Sequence, residues 1–177
     1  MGRKEYKIQG KAFSLVATCL LVFNVSASID KSIANHKEHF SKIALQIWDN
    51  AELGYQEIGS SKLLSDALEK EGFKINKSVA GIPTAFIAEF GSKGPVIAIL
   101  GEFDALPGLA QSTSPFKEVI NNSTGAGHAC GHHLFGAASA WAAVTIKEWL
   151  VENNIEGRIR FYGTPAEEGG SGKVYIA

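Results

Sequence analysis

The sequence predicts an α/β fold, a three-layer sandwich with a mostly parallel sheet flanked by helices, and three observations lead to it. Apolar residues recur at helical spacing in three separate segments, short apolar runs of strand length lie between them, and the two kinds of segment alternate along the chain. The residue balance agrees. With 45% hydrophobic and 20% charged side chains and a mean hydropathy of +0.03, the chain reads as globular, which excludes disorder, collagen and coiled coil. Seventeen basic residues stand against eighteen acidic ones, so the basic footprint of a nucleic-acid binder is missing and nucleic acid is excluded as a partner. The sequence shows no period of 20 to 50 residues, so a repeat fold is excluded as well.

The amino terminus reads as a separate unit. Arg3, Lys4, Lys7 and Lys11 face Glu5 alone, the run from Ala12 to Val25 is free of charge, and Val25-Ser26-Ala27 is a small-residue pattern that a signal peptidase accepts. Residues 1–27 are therefore expected to be a cleaved export signal, placing the protein in the periplasm or beyond; an uncleaved anchor over residues 12–27 is the alternative. Residues 28–177 would then carry 13 basic and 17 acidic side chains, a net charge of −4, and Cys130 as their one cysteine. No internal disulfide can form in that unit, which leaves Cys130 a buried apolar role or a metal-ligand role.

From Ile29 to Leu53, Ile33, Phe40, Ile43, Ala44, Ile47, Trp48 and Ala51 mark one face of an amphipathic helix. His36 and His39 sit on it beside Lys37 and Glu38 and read as part of a solvated face. A second helix is expected from Ser60 to Glu71, with Leu63, Leu64, Ala67 and Leu68 as its stripe and Gly72 as its stop. Strands follow at 73–79, at 84–90 and at Pro95–Leu100, the last a continuous apolar run that reads as a fully buried strand. Residues 105–127 are rich in Pro, Ser, Thr, Asn and Gly and form a long loop of the kind that carries function. An Ala-rich helix from His132 to Asn153, with Leu134, Ala138, Trp141, Val144, Trp149 and Leu150 apolar, leads into a strand from Arg158 to Tyr162.

Ligands in open α/β sheets collect beyond the carboxyl ends of the strands, and three motifs occupy such places. They are G-E-F-D-A-L-P from Gly101, G-H-A-C-G-H-H from Gly127, and T-P-A-E-E-G-G from Thr164. Together they offer thiolate, imidazole and carboxylate, a donor set that suits a divalent ion, zinc or manganese. Cys130 and His132 are separated by one glycine and can aim at one point. Adjacent Glu167 and Glu168 must diverge, so one can ligate while the other holds the attacking water and takes its proton. Each feature alone is ordinary, since Glu pairs are usually solvated and a cysteine before a helix is usually core; their joint occurrence at three strand ends marks a site. Asp104 is placed to orient a ligand.

The stretches G-H-A-C-G-H and G-T-P-A-E-E-G-G-S-G-K, preceded by G-E-F-D-A-L-P-G-L, resemble the amidohydrolase branch of the aminoacylase and glutamate carboxypeptidase type metallopeptidases. The resemblance runs from Ile29 to Ala177. It implies that Cys130, His132 and Glu168 ligate metal, that Glu167 is the general base, and that Asp104 belongs to the catalytic machinery through the D-A-L-P loop. It implies two divalent ions in the complete enzyme, and hydrolysis of amides in N-acyl amino acids or dipeptides. The favoured substrate is p-aminobenzoyl-glutamate, as in folate catabolism, with a dipeptidase or aminoacylase of the same family as the alternative. Most members implied by the resemblance are cytoplasmic, which makes the cytoplasm the alternative to export.

The chain departs from the pattern at two positions. His133 stands where the family commonly has Asp or Asn, and Glu102 where more distant relatives place a ligand His. The resemblance also implies further ligand histidines and a lid domain used for dimerisation, whereas Ala177 follows Glu168 by nine residues. Residues 28–177 are accordingly expected to be the amino-terminal half of a dinuclear catalytic domain, with little or no hydrolysis of their own. A homodimer or heteromer is expected only through the lid. A non-enzymatic module that binds a separately encoded partner is the reading from another class.

Overall fold

The computed structural model describes residues 11–121 and 123–177, with the backbone alone for residues 11–27. The basic segment of the expected export signal lies outside the described residues, as do the side chains of its apolar segment. Among the described residues no helix is long and apolar enough to cross a membrane.

The sheet is organised around β6 (Arg158–Gly163). On one side it pairs antiparallel with β2 (Phe86–Phe90), which pairs antiparallel with β1 (Lys74–Lys77); on the other it pairs parallel with β3 (Val96–Gly101). The order is β1-β2-β6-β3. The helix-flanked α/β sheet is as the sequence predicts, but it is mixed rather than mostly parallel among the described residues. The cause is connection length. Lys77 and Phe86 are joined by a short link holding one 3₁₀ turn at Val79–Gly81, too short for a parallel crossover, whereas the connection from β3 to β6 contains a whole helix and is long enough for the parallel pairing it makes.

Three helices cover the face of the sheet that carries Phe86, Ala88, Ile159 and Phe161. They are α1 (Lys11–Asn50), α2 (Ile58–Lys70) and α3 (His132–Glu152). α2 and α3 rest on the strands, and α1 packs on both. Most of the predicted stripe of α1 is buried, with Phe40, Ile43, Ala44, Ile47 and Ala51 all nearly inaccessible, whereas Ile33 is 42% exposed, and Phe40 stacks on Trp141 of α3. The stripe of α2 is buried through Leu64, Ala67 and Leu68. α3 differs in part from expectation. Val144 and Leu150 are buried as expected, but most of the packed face is made of small residues, Gly136, Ala137, Ala140 and Ala143, while Leu134 is exposed, because α3 lies close against the strands and large side chains would hold it off.

Two further expectations are corrected. The apolar run of β3 is not fully buried: Val96, Ile97 and Leu100 are 41%, 44% and 41% exposed, because β6 is its one strand neighbour among the described residues. His36 is not on a solvated face. It sits between α2 and α3, with Glu148 2.9 Å from Nε2 and Glu71 3.7 Å from Nδ1, whereas His39 is exposed. The long loop is partly ordered by pairing of β4 (Leu106–Pro107) with β5 (Ala126–Gly127).

α3 meets the end of β3 at Gly136. A Cβ there would lie 2.5 Å from the Glu102 carbonyl oxygen, so the absence of a side chain sets the distance between helix and strand end. Gly136→Ala should cost about 1–3 kcal/mol by overpacking. Leu45→Ala, at a 62% exposed position, should change stability by about 0.5 kcal/mol or less. Urea unfolding of both variants against the wild type measures the contrast.

Candidate metal centre

The parallel pairing of β3 with β6 places Gly101 opposite Gly163, so both chains leave the sheet at the same level. The Thr164 amide donates to the Gly101 carbonyl at 2.9 Å and keeps the two exits together for one more step. Beyond that point one chain supplies Glu102 and Asp104, the other Glu167 and Glu168, and α3 begins with His132 beside them.

Asp104 organises the cluster. Its residue is 1% exposed; Oδ1 lies 2.9 Å from Nδ1 of His132, and Oδ2 accepts the Glu168 amide hydrogen at 2.8 Å. Burial alone would raise the Asp104 pKa, but the His132 hydrogen bond and the Glu168 N–H outweigh it and hold the carboxyl below its ordinary value. The same bond raises the His132 pKa against the opposing effect of burial. Without a metal the imidazole faces carboxylates at both nitrogens, Asp104 at Nδ1 and Glu102 at Nε2, and a bound ion would take the place of the Nε2 proton while Asp104 kept the one on Nδ1.

Around Nε2, Glu102 Oε2 is at 2.9 Å and Glu167 Oε2 at 3.9 Å. Ligand atoms of Glu102, His132 and Glu167 all lie within 4.8 Å of one another. The other oxygen of Glu102 pairs with the Lys173 ammonium. The Cys130 side chain is exposed, and the Glu168 carboxylate near it disfavours the thiolate and raises the thiol pKa. Glu168 itself has Oε1 buried with no hydrogen-bond partner. His133 turns away from the cluster to Trp48 and His128, at ring-centroid distances of 4.9 and 5.0 Å. Burial first, then the neighbouring His128 and His132, push its pKa down to about 4.

Of the residues singled out in the sequence, His132 and Glu167 fall in the group whose ligand atoms converge, together with Glu102, whereas Cys130 and Glu168 do not. His132 contacts Asp104 directly and lies near Glu167, while Cys130 meets Glu168 at the side of this group. Two participants went unrecognised. Glu102 had been set apart as a departure, yet it is the carboxylate nearest Nε2; its position two residues before Asp104 at a strand end was the signal. Glu57 is 0% exposed and takes the Ala166 amide at 2.8 Å, just before the Glu pair; nothing in its local pattern distinguishes it.

A divalent ion fits this donor set. An imidazole held at Nδ1 by a carboxylate presents Nε2 as a ligand, and an orphaned buried carboxylate oxygen and a thiol stand beside it. The pattern of peptidase family M20/M25/M40 matches residues 98–177, which contain all three motifs. The chain is 45% identical over 148 residues to one of the subunits of p-aminobenzoyl-glutamate hydrolase from Escherichia coli strain K12, covering 84% of this chain and 31% of that protein.

Residues 98–177 belong to peptidase family M20/M25/M40.

A second relative, hippurate hydrolase of Campylobacter jejuni, is 30% identical over 138 residues, covering 77% of this chain and 34% of its own length. Among solved structures, the Bacillus subtilis YXEP protein, a dinuclear metal binding peptidase from the M20 family, matches with a TM-score of 0.64 and 30% identity. That match covers 78% of this chain and 38% of YXEP. The chain thus spans about a third of the length of the curated relatives it matches.

One pH dependence follows from the buried acid beside the centre. Burial holds the Glu57 carboxyl above its ordinary value of 4.5, outweighing the hydrogen bonds it accepts. A carboxyl raised in the folded state binds its proton better there, so this contribution to stability is complete below pH 4.5 and is lost as pH rises through the folded value. The stability of Glu57→Gln relative to wild type should therefore increase as the pH rises above 4.5. Urea titrations at several pH values measure it, and a difference independent of pH would contradict the assignment.

Proposed function

We propose that these residues form part of the centre of a metal-dependent amidohydrolase that cleaves N-acyl amino acids, with p-aminobenzoyl-glutamate as the favoured substrate and folate catabolism as its setting. The observation that carries the reading is the Asp104–His132 pair, which leaves Nε2 facing carboxylates beside Cys130 and the orphaned Glu168 oxygen. The substrate rests on the 45% identity to the p-aminobenzoyl-glutamate hydrolase relative. The 30% identity to hippurate hydrolase supports a second reading, an aminoacylase acting on another N-acyl amino acid.

In this reading His132 Nε2, the Cys130 sulfur and Glu168 hold the ion; thiolate with imidazole favours zinc, and the carboxylates also accommodate manganese. A bound divalent ion would polarise the amide carbonyl and acidify water at the centre. Glu167, with its side chain 43% exposed, is open to solvent and takes the proton of the attacking water, then delivers it to the leaving amine. Asp104 keeps His132 in the tautomer with hydrogen on Nδ1. The described donors suffice for one ion. Two ions are proposed for the whole enzyme and little turnover for these residues alone, with the YXEP relative, described as dinuclear, as the support.

Zinc and manganese affinity of the chain, with release of p-aminobenzoate from p-aminobenzoyl-glutamate, tests the proposal. Asp104→Asn should weaken metal binding about 10–100-fold by releasing the imidazole. Cys130→Ser should weaken it further, and Glu167→Ala should keep the metal and lose any cleavage. Unchanged affinity in both Asp104→Asn and Cys130→Ser would overturn the reading.

A further inference from the structure

The α1–α2 connection holds a buried acid that the mechanism above does not use. Glu57 immediately precedes α2, in the place from which an acidic side chain would ordinarily cap the helix, yet it makes no capping bond. Glu52 caps α2 instead, accepting the Gly59 and Ser60 amide hydrogens at 2.8 Å each and the Ser60 hydroxyl at 2.7 Å. The Glu57 carboxylate is thereby free to reach across the fold. Oε1 accepts the Ala166 amide hydrogen at 2.8 Å, and Oε2 accepts the Thr84 hydroxyl at 2.9 Å.

What it holds is an unfavourable piece of backbone. Ala166 has φ 55° and ψ 46°, a left-handed conformation that an alanine adopts only under constraint, and it is fully buried. Glu167 follows directly at the head of α4 (Glu167–Gly170), itself distorted at Glu168 and Gly169. The same connection provides room and a second tether. A Cβ on Gly54 would lie 3.0 Å from both Cα and Cβ of Ala166, and the Tyr55 hydroxyl donates to the Gly170 carbonyl. On the far side of Glu167, Asp104 Oδ2 grips the Glu168 amide at 2.8 Å. Two buried carboxylates from different loops thus clamp amides two residues apart, with Glu167 between them.

We propose that Glu57 is a positioning residue of this centre: by holding the Ala166 amide in its left-handed turn it aims Glu167 and Glu168 at the ion and the attacking water. The proposal rests on the roles given to Glu167 and Glu168 above. Neither charge nor proton transfer by Glu57 is required, only two acceptor-competent atoms at the right reach. Gln can supply them by accepting from Ala166 and donating to the Thr84 oxygen, whereas Asp is one methylene short.

The test is residue-resolved amide hydrogen exchange on the metal-free 177-residue chain as wild type, Glu57→Gln, Glu57→Asp and Glu57→Ala, followed by zinc titration of each. In Glu57→Asp and Glu57→Ala, exchange at Ala166 and Glu168 should accelerate at least about 10-fold beyond any change at Phe161 in β6, and zinc affinity should fall about 10–100-fold. Glu57→Gln should match wild type in both. Acceleration spread evenly over the core, or none at Ala166 and Glu168, would overturn the proposal and leave Glu57 a purely structural acid. Local acceleration in a chain whose wild type binds no zinc would uphold the clamp while refuting the metal reading, so the two failures are separable.

Discussion

Everything at the centre depends on the two hydrogen bonds of one buried carboxylate. Asp104 joins α3 to the turn after β6, taking His132 with one oxygen and the Glu168 amide with the other. A buried carboxylate is costly unless both oxygens are satisfied by strong donors, and here each has one. The cost is offset only when the helix start and the turn are both in place, so Asp104 makes the three motifs interdependent. It also decides which imidazole nitrogen faces the acidic cluster, which is the step from fold to chemistry.

The sheet supplies the level at which this can happen. Because β3 and β6 run parallel and end in register at Gly101 and Gly163, the two loops begin side by side, and Gly136 lets α3 approach closely enough for His132 to reach both. The opposite side of the turn is held from the α1–α2 connection by Glu57. Rigid elements thus surround a short stretch of strained backbone, the arrangement by which folds keep unfavourable conformations at functional positions.

Much of this was legible in the sequence where one residue type had one physical use. The stripes of α1 and α2 have helical period and are mostly buried, and the three Gly-flanked motifs at strand ends do converge. Pairing direction was less legible, because it depends on connection length and on which strands become neighbours: β2 reads as a strand either way. β3 misled for a related reason, since an apolar run states what a strand can tolerate on both sides and not what stands beside it. α3 misled because the helix is apolar all round, so periodicity could not select between the Leu134 and Ala137 faces. Within the centre, His132 and the Glu pair were visible from spacing. Glu57 was not, because its partner Ala166 is 109 residues away and its local context is that of an ordinary helix start.

X-ray absorption at the zinc edge of the zinc-loaded chain is the most direct measurement of the central claim. The account predicts one sulfur scatterer at about 2.3 Å, from Cys130, together with nitrogen and oxygen ligands at about 2.0–2.2 Å from His132 and Glu168. A shell of nitrogen and oxygen alone, unchanged by Cys130→Ser, would contradict it and move the ion to the carboxylate side of the cluster.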